Sequence, residues 1–76
     1  MSAHPITRLL AVRLEDTTDR PATHVIIEDV WQSVVDGTLA SGERLPTVRE
    51  LAIALNVGPR VVERAYDELE RRGVIA

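Results

Sequence analysis

Every basic side chain in this sequence is an arginine, and a guanidinium is a cation whose planar fork can bond a carboxylate, a phosphate or a guanine edge through two parallel hydrogen bonds. Nine arginines face twelve Asp and Glu, for a formal net charge of −3. Their distribution is uneven. Up to residue 42, Arg8, Arg13 and Arg20 are outnumbered by Glu15, Asp16, Asp19, Glu28, Asp29 and Asp36. From residue 43 onward, Arg44, Arg49, Arg60, Arg64, Arg71 and Arg72 are matched one for one by Glu43, Glu50, Glu63, Asp67, Glu68 and Glu70. The C-terminal half is neutral, so overall charge does not suggest a basic nucleic-acid binder. Nucleophilic and metal chemistry lack their parts. His4 and His24 have three serines and no cysteine to work with, and no triad, metal-ligand spacing or glycine-rich phosphate loop is present. The acidic stretch Glu15, Asp16, Thr17, Thr18, Asp19 has no glycine for the sharp turn of a calcium loop and reads as a solvated connection. No catalytic residue, metal or cofactor is expected, and the chain is not expected to be an enzyme.

The elements that must position these arginines can be read from spacing. With 76 residues, 45% apolar and 28% charged, the chain suits one small folded domain, stabilised by helix packing because no cysteine can staple it. Apolar runs are short and no signal-peptide pattern opens the chain, which predicts a cytoplasmic protein without a membrane partner. Leu10, Val12 and Leu14 alternate and predict an extended segment over Ile6 to Leu14, although Ile6, Leu9, Leu10 and Arg13 can also be written as a short helix. Ile26, Ile27, Val30, Trp31, Val34 and Val35 then form one helical stripe, predicting a helix over roughly residues 23 to 36 with Thr23 as N-cap, Gly37 as its end and Trp31 as a core anchor. After a connection holding Gly42 and Pro46, Thr47 and Glu50 spell a capping box for a short helix that buries Leu51, Ala52 and Leu55. Asn56, Val57 and Gly58 interrupt the chain before Pro59 opens a last helix, with Val62, Ala65, Tyr66 and Leu69 on its apolar face and Gly73 beyond its end. Val74 and Ile75 read as the opening of a strand.

Two short helices joined by three residues have the spacing of a helix-turn-helix, whose second helix enters the major groove, though an ordinary helical hairpin shares that spacing. Here residues 42–52, GERLPTVRELA, resemble the GntR family signature, approximately pGerLPSvReLA, and residues 56–70, NVGPRVVERAYDELE, are similar to its YtrA-like or MocR-like versions. Pro21 through Gly37 has the length of that family's first helix. The resemblance implies a mainly α fold: a three-helix helix-turn-helix of the winged type over residues 21–76, its wing hairpin absent or truncated at Ala76. Residues 1–20 are then an N-terminal extended segment and loop. Val61 and Gly58 replace the Thr and the Ser or Asn usual at those positions, and Ala22 and Thr23 replace an apolar and aromatic pair.

The function implied by the resemblance is sequence-specific binding of double-stranded DNA by a bacterial transcription regulator, a repressor acting as a homodimer on a near-palindromic operator. No small-molecule effector is expected to bind this segment. Arg49 matches the family arginine that contacts DNA; the alternative is a surface arginine paired with Glu50 or Glu43. Arg60, near the start of the last helix and off its apolar face, is the candidate base reader, and Arg64 lies one turn later, within reach of Asp67 or Glu68. Thr47 caps a helix whose free N–H groups suit a phosphate. Gly58 and Pro59 shape the entry of the last helix, Val61 can meet a thymine methyl, and Arg44 is a generic phosphate candidate. Arg71 and Arg72 complement the helix dipole instead. A second reading from another class is a helix-turn-helix used for protein contact or self-association, with DNA binding lost or weak.

Overall fold

The structure is a computed structural model that describes residues 5–40 and 43–75; His4, Gly42 and Ala76 lie outside the described residues. Among these described residues four helices follow one another: α1 (Pro5–Asp16), α2 (Ala22–Val35), α3 (Val48–Leu55) and α4 (Pro59–Arg71). Among the described residues there is no strand, and Val74 and Ile75 instead lie half-buried against the core. Among the described residues no helix is long and apolar enough to cross a membrane.

Local chemistry explains most boundaries. Gly37 ends α2 at φ +86°, a left-handed backbone that suits a residue without Cβ, and the chain folds back so that the Leu39 N–H donates to the Ser33 carbonyl at 2.9 Å. Leu39 is thereby buried. The Thr47 hydroxyl accepts from the Glu50 N–H at 3.1 Å while the Glu50 carboxylate accepts from the Thr47 N–H at 2.9 Å, the reciprocal capping box that the sequence spells. Asn56 closes α3 in the left-handed region at φ 56°, where its short polar side chain is tolerated, and Val57 N–H returns to the Ala52 carbonyl at 3.0 Å. Gly58 is the N-cap of α4 and Pro59 its first residue, where a missing N–H costs nothing.

One core joins all four helices. Ile6 and Leu10 of α1, Ile26, Ile27 and Val30 of α2, Leu51 and Ala52 of α3, and Val62, Ala65 and Leu69 of α4 meet around Leu39. Helix α4 packs on α2 and α3, and α1 covers α2 and α3 from another side.

The expected N-terminal extended segment is a helix. Ile6 and Leu10, four residues apart, point into the core, whereas Val12 is 56% exposed and Leu14 half-buried, so the alternation of Leu10, Val12 and Leu14 has no buried face behind it. The period of four prevails because α2 and α3 offer a groove for one helical stripe. Arg13 on the same helix reaches Asp29 of α2 at 3.8 Å.

Two further expectations are corrected. The N-cap position of α2 is Pro21, with no side-chain cap, and the Thr23 hydroxyl instead donates to the Val61 carbonyl at 3.4 Å, tying α2 to α4. Trp31 is not a core anchor: it is 42% exposed, and the Arg72 guanidinium lies over its ring at 4.8 Å from the centroid. The α2 stripe is wider than α1 and α4 can cover, so Ile26 and Val30 are buried while Trp31 and Val35 form its rim. Trp31→Ala is accordingly expected to cost about 1–2 kcal/mol, below the ~3–5 kcal/mol of a buried tryptophan, as measured by urea denaturation. A loss in the upper range would return Trp31 to the core.

Asp29 is the one buried side-chain oxygen site without a partner among the described residues: its Oδ2 is out of solvent and accepts no hydrogen bond. Burial pushes the Asp29 carboxyl above its ordinary value of 3.8, against the pull of Arg13 and Arg20. A carboxyl raised in the folded state favours folding most below that ordinary value and loses its contribution as pH rises through the folded value. Asp29→Asn should therefore melt higher than the parent near pH 7, the gap closing towards about pH 4. A lower melting point at neutral pH would show that the Arg13 contact outweighs desolvation. Asp36, Glu50 and Glu68 run the other way, their carboxyls held low by hydrogen bonds from Thr38, Thr47 and Arg72 respectively.

Candidate nucleic-acid interface

The turn Asn56–Val57–Gly58 sets α4 across the end of α3, and the two helices enclose a shallow hollow lined by Arg49, Ala52, Ile53, Asn56, Val57 and Pro59. Arg49 of α3 is thus brought beside the start of α4. Its alternative partners do not take it: Glu50 is engaged in the capping box, and Arg49 has no ion pair among the described residues. Ile53, one turn beyond Arg49, is 75% exposed in the same hollow. The sequence reading did not single out Ile53, although its place opposite the Leu51, Ala52 and Leu55 face marks it as an apolar residue without a core position.

On α4, Val62, Ala65 and Leu69 face inward, which leaves Arg60 and Arg64 on the outer face one turn apart. Both are exposed, and neither guanidinium forms a hydrogen bond or ion pair among the described residues; the Arg64 pairing with Asp67 or Glu68 is not made. Glu68 is taken instead by Arg71 at 3.6 Å and by Arg72 at 2.7 Å, which fits their reading as charges at the helix end.

The remaining candidates are placed differently. Arg44 lies away from the Arg49 hollow, beside Leu45, Pro46, Tyr66 and Glu70. Val61 is half-buried against the core and its carbonyl accepts from Thr23, so only part of its side chain faces out. Gly58 and Pro59 are exposed at the entry to α4. The Thr47 hydroxyl and N–H are both used within the capping box, and the Glu50 carboxylate sits at that helix end, its charge favoured by the hydrogen bonds from Thr47. An approaching phosphate meets this negative charge beside the free N–H groups of α3.

Tyr66 has a polar task that its place in an apolar stripe conceals. Its hydroxyl donates to the Pro46 carbonyl at 2.7 Å, pinning the approach to α3 onto α4. Burial, with a contribution from Glu50, pushes the phenol up to about 12, so it remains a donor at any physiological pH.

Comparisons with known proteins agree with this arrangement. The family described as "Bacterial regulatory proteins, gntR family" matches residues 22–76. The chain is 34% identical over 64 residues to the HTH-type transcriptional repressor YtrA of Bacillus subtilis, covering 84% of this chain and 49% of that protein. It is 38% identical over 64 residues to the HTH-type transcriptional regulator Rv1152 of Mycobacterium tuberculosis, covering 84% of this chain and 53% of that protein. A third relative, the HTH-type transcriptional regulator YhcF of Bacillus subtilis, is 34% identical over 58 residues, 76% of this chain and 48% of its own length. The chain therefore spans about half the length of these relatives. No solved structure matches it.

Proposed function

The chain belongs to the gntR family of bacterial regulatory proteins, and from that premise we propose that residues 21–76 are a sequence-reading module for double-stranded DNA in a cytoplasmic transcription regulator. The observation that carries this reading is the α3–turn–α4 unit, which presents Arg49, Arg60 and Arg64 unpaired on its outer side. Helix α4 enters the major groove with Arg60 towards base edges, and α3 crosses the backbone with Arg49 at the groove's rim. Arg44 and Arg64 neutralise phosphates, Thr47 orients the α3 end towards the backbone, Gly58 and Pro59 allow close approach, and Val61 offers a methyl surface at the start of α4. Helix α1 serves as a fourth wall of the same core.

The action is repression, in keeping with the name of the YtrA relative, and two copies bind a near-palindromic operator so that each half-site receives one α4. The chemistry is recognition rather than catalysis.

Selection of bound sequences from a random duplex library, followed by salt titration of the preferred site against scrambled DNA, tests the proposal. A motif of two half-sites, with selectivity that persists as salt weakens both complexes, is the expected result. A folded chain that enriches nothing would assign the helix-turn-helix to protein contact or self-association.

A further inference from the structure

The outer face of α4 carries acid as well as base. At about 100° per residue, Arg60 sits between Glu63 on one side and Arg64 on the other, with Asp67 two turns beyond Arg60. All four are exposed. The Glu63 side chain forms no hydrogen bond or ion pair among the described residues, although Arg60 stands three positions before it. That pairing has the weaker order, base before acid along the helix, and the next neighbour on the same side is Asp67, a like charge. The Glu63 carboxylate is therefore an uncommitted acceptor in the half of α4 that, on the reading proposed above, faces the bases.

A carboxylate placed there meets a restricted choice. It is repelled by phosphates, and on the major-groove edge guanine offers only acceptors and thymine an acceptor and a methyl. Adenine carries an amino donor but sets the N7 acceptor next to it. Cytosine presents its N4 amino group with no neighbouring acceptor on its own edge. Three residues of helix rise by about 4.5 Å, close to the ~3.4 Å step between stacked base pairs, so Arg60 and Glu63 can address adjacent pairs.

We propose that Glu63 is a specificity-determining residue, accepting a hydrogen bond from the N4 amino group of a cytosine in the base pair adjacent to the one read by Arg60. This rests on the duplex-reading function proposed above and adds a required base to it. The same carboxylate discriminates against other sequences, because a guanine or thymine edge at that position offers it no donor and leaves it desolvated and unpaired.

The test is library selection carried out in parallel with the parent chain, Arg60→Ala and Glu63→Gln, at one salt concentration. The parent is expected to enrich cytosine next to the position that loses its preference in Arg60→Ala. Glu63→Gln should lower the cytosine preference at that one position by about tenfold and move it towards adenine, which a glutamine amide pairs through N6 and N7. Its binding to scrambled duplex should hold or strengthen, since a repulsive charge has gone. An unchanged motif in Glu63→Gln overturns the role of Glu63 while leaving the duplex-reading function standing. A parent chain that enriches no motif overturns both.

Discussion

Leu10→Ala is expected to lower the stability of the chain by about 2–5 kcal/mol, the cost of opening a cavity at a fully buried leucine. Leu10 has no solvent exposure and sits among Ile6, Ile26 and Leu51 in the shared core. A chain of 76 residues has a total folding free energy of roughly 4–11 kcal/mol, so this loss alone brings the domain near its unfolding threshold at room temperature. Urea denaturation monitored by circular dichroism measures it, with Val12→Ala on the exposed side of α1 as control, expected within about 0.5 kcal/mol of the parent. Equal, small effects at Leu10 and Val12 would mean that α1 is not docked. The prediction bears on more than stability, since α1 lies before the residues 22–76 matched by the family. A core that needs Leu10 makes α1 a structural part of the domain, although none of its residues lines the hollow between α3 and α4 that holds Arg49.

What could be read from the sequence divides by how local its cause is. The capping box at Thr47 and Glu50, the interruption at Asn56, Val57 and Gly58, and Pro59 opening α4 are settled by residues within one turn of each other, and each is where its residues put it. Helix α1 was illegible for the opposite reason. Ile6, Leu9, Leu10 and Arg13 on one template compete with Leu10, Val12 and Leu14 on another, and only the groove between α2 and α3 decides between them. Trp31 shows the same limit in packing: periodicity assigns it to the apolar stripe, but how much of a stripe is covered depends on the neighbours, and here cover ends short of Trp31 and Val35. Of the site, the positions of Arg60 and Arg64 outside the apolar face of α4 followed from helical spacing, whereas Arg49 was singled out by the family resemblance. That these arginines are unpaired did not follow, because each has an acidic residue nearby in the sequence. Likewise the Tyr66 bond to Pro46 and the Thr23 bond to Val61 join residues 20 and 38 positions apart, beyond any local pattern.

The balance of charge on α4 shapes how such a module would bind. Arg60, Arg64, Arg71 and the C-cap Arg72 are balanced by Glu63, Asp67, Glu68 and Glu70, so the helix with its cap brings no net charge to a polyanion. Each phosphate neutralised contributes a slope of about −0.9 to the logarithmic salt dependence, and few are available to this surface. Affinity for arbitrary DNA is then low, and discrimination falls on the groups that meet base edges. A neutral C-terminal half, which weighs against a generic nucleic-acid binder, is compatible with a selective one.

Arg60→Ala is the substitution in which this division shows most clearly. Arg60 is exposed at the start of α4, has no ion pair among the described residues, and stands on the side opposite Val62 and Ala65. If its fork closes on the O6 and N7 of a guanine, truncation removes about 1–3 kcal/mol from the complex with the preferred duplex, roughly a 5- to 150-fold weaker binding, and leaves scrambled DNA almost unaffected. The salt dependence on the preferred duplex should keep its slope, because no phosphate contact has been lost. Fluorescence anisotropy on both duplexes across a salt series separates the possibilities. Equal losses on the two, with a slope shallower by about 0.9, would place Arg60 on the backbone and pass the reading of bases to Arg49 and the Ile53 methyls in the neighbouring hollow. A loss confined to the preferred duplex, with folding unchanged, would establish α4 as the element that reads sequence, and a neutral helix as sufficient to do so.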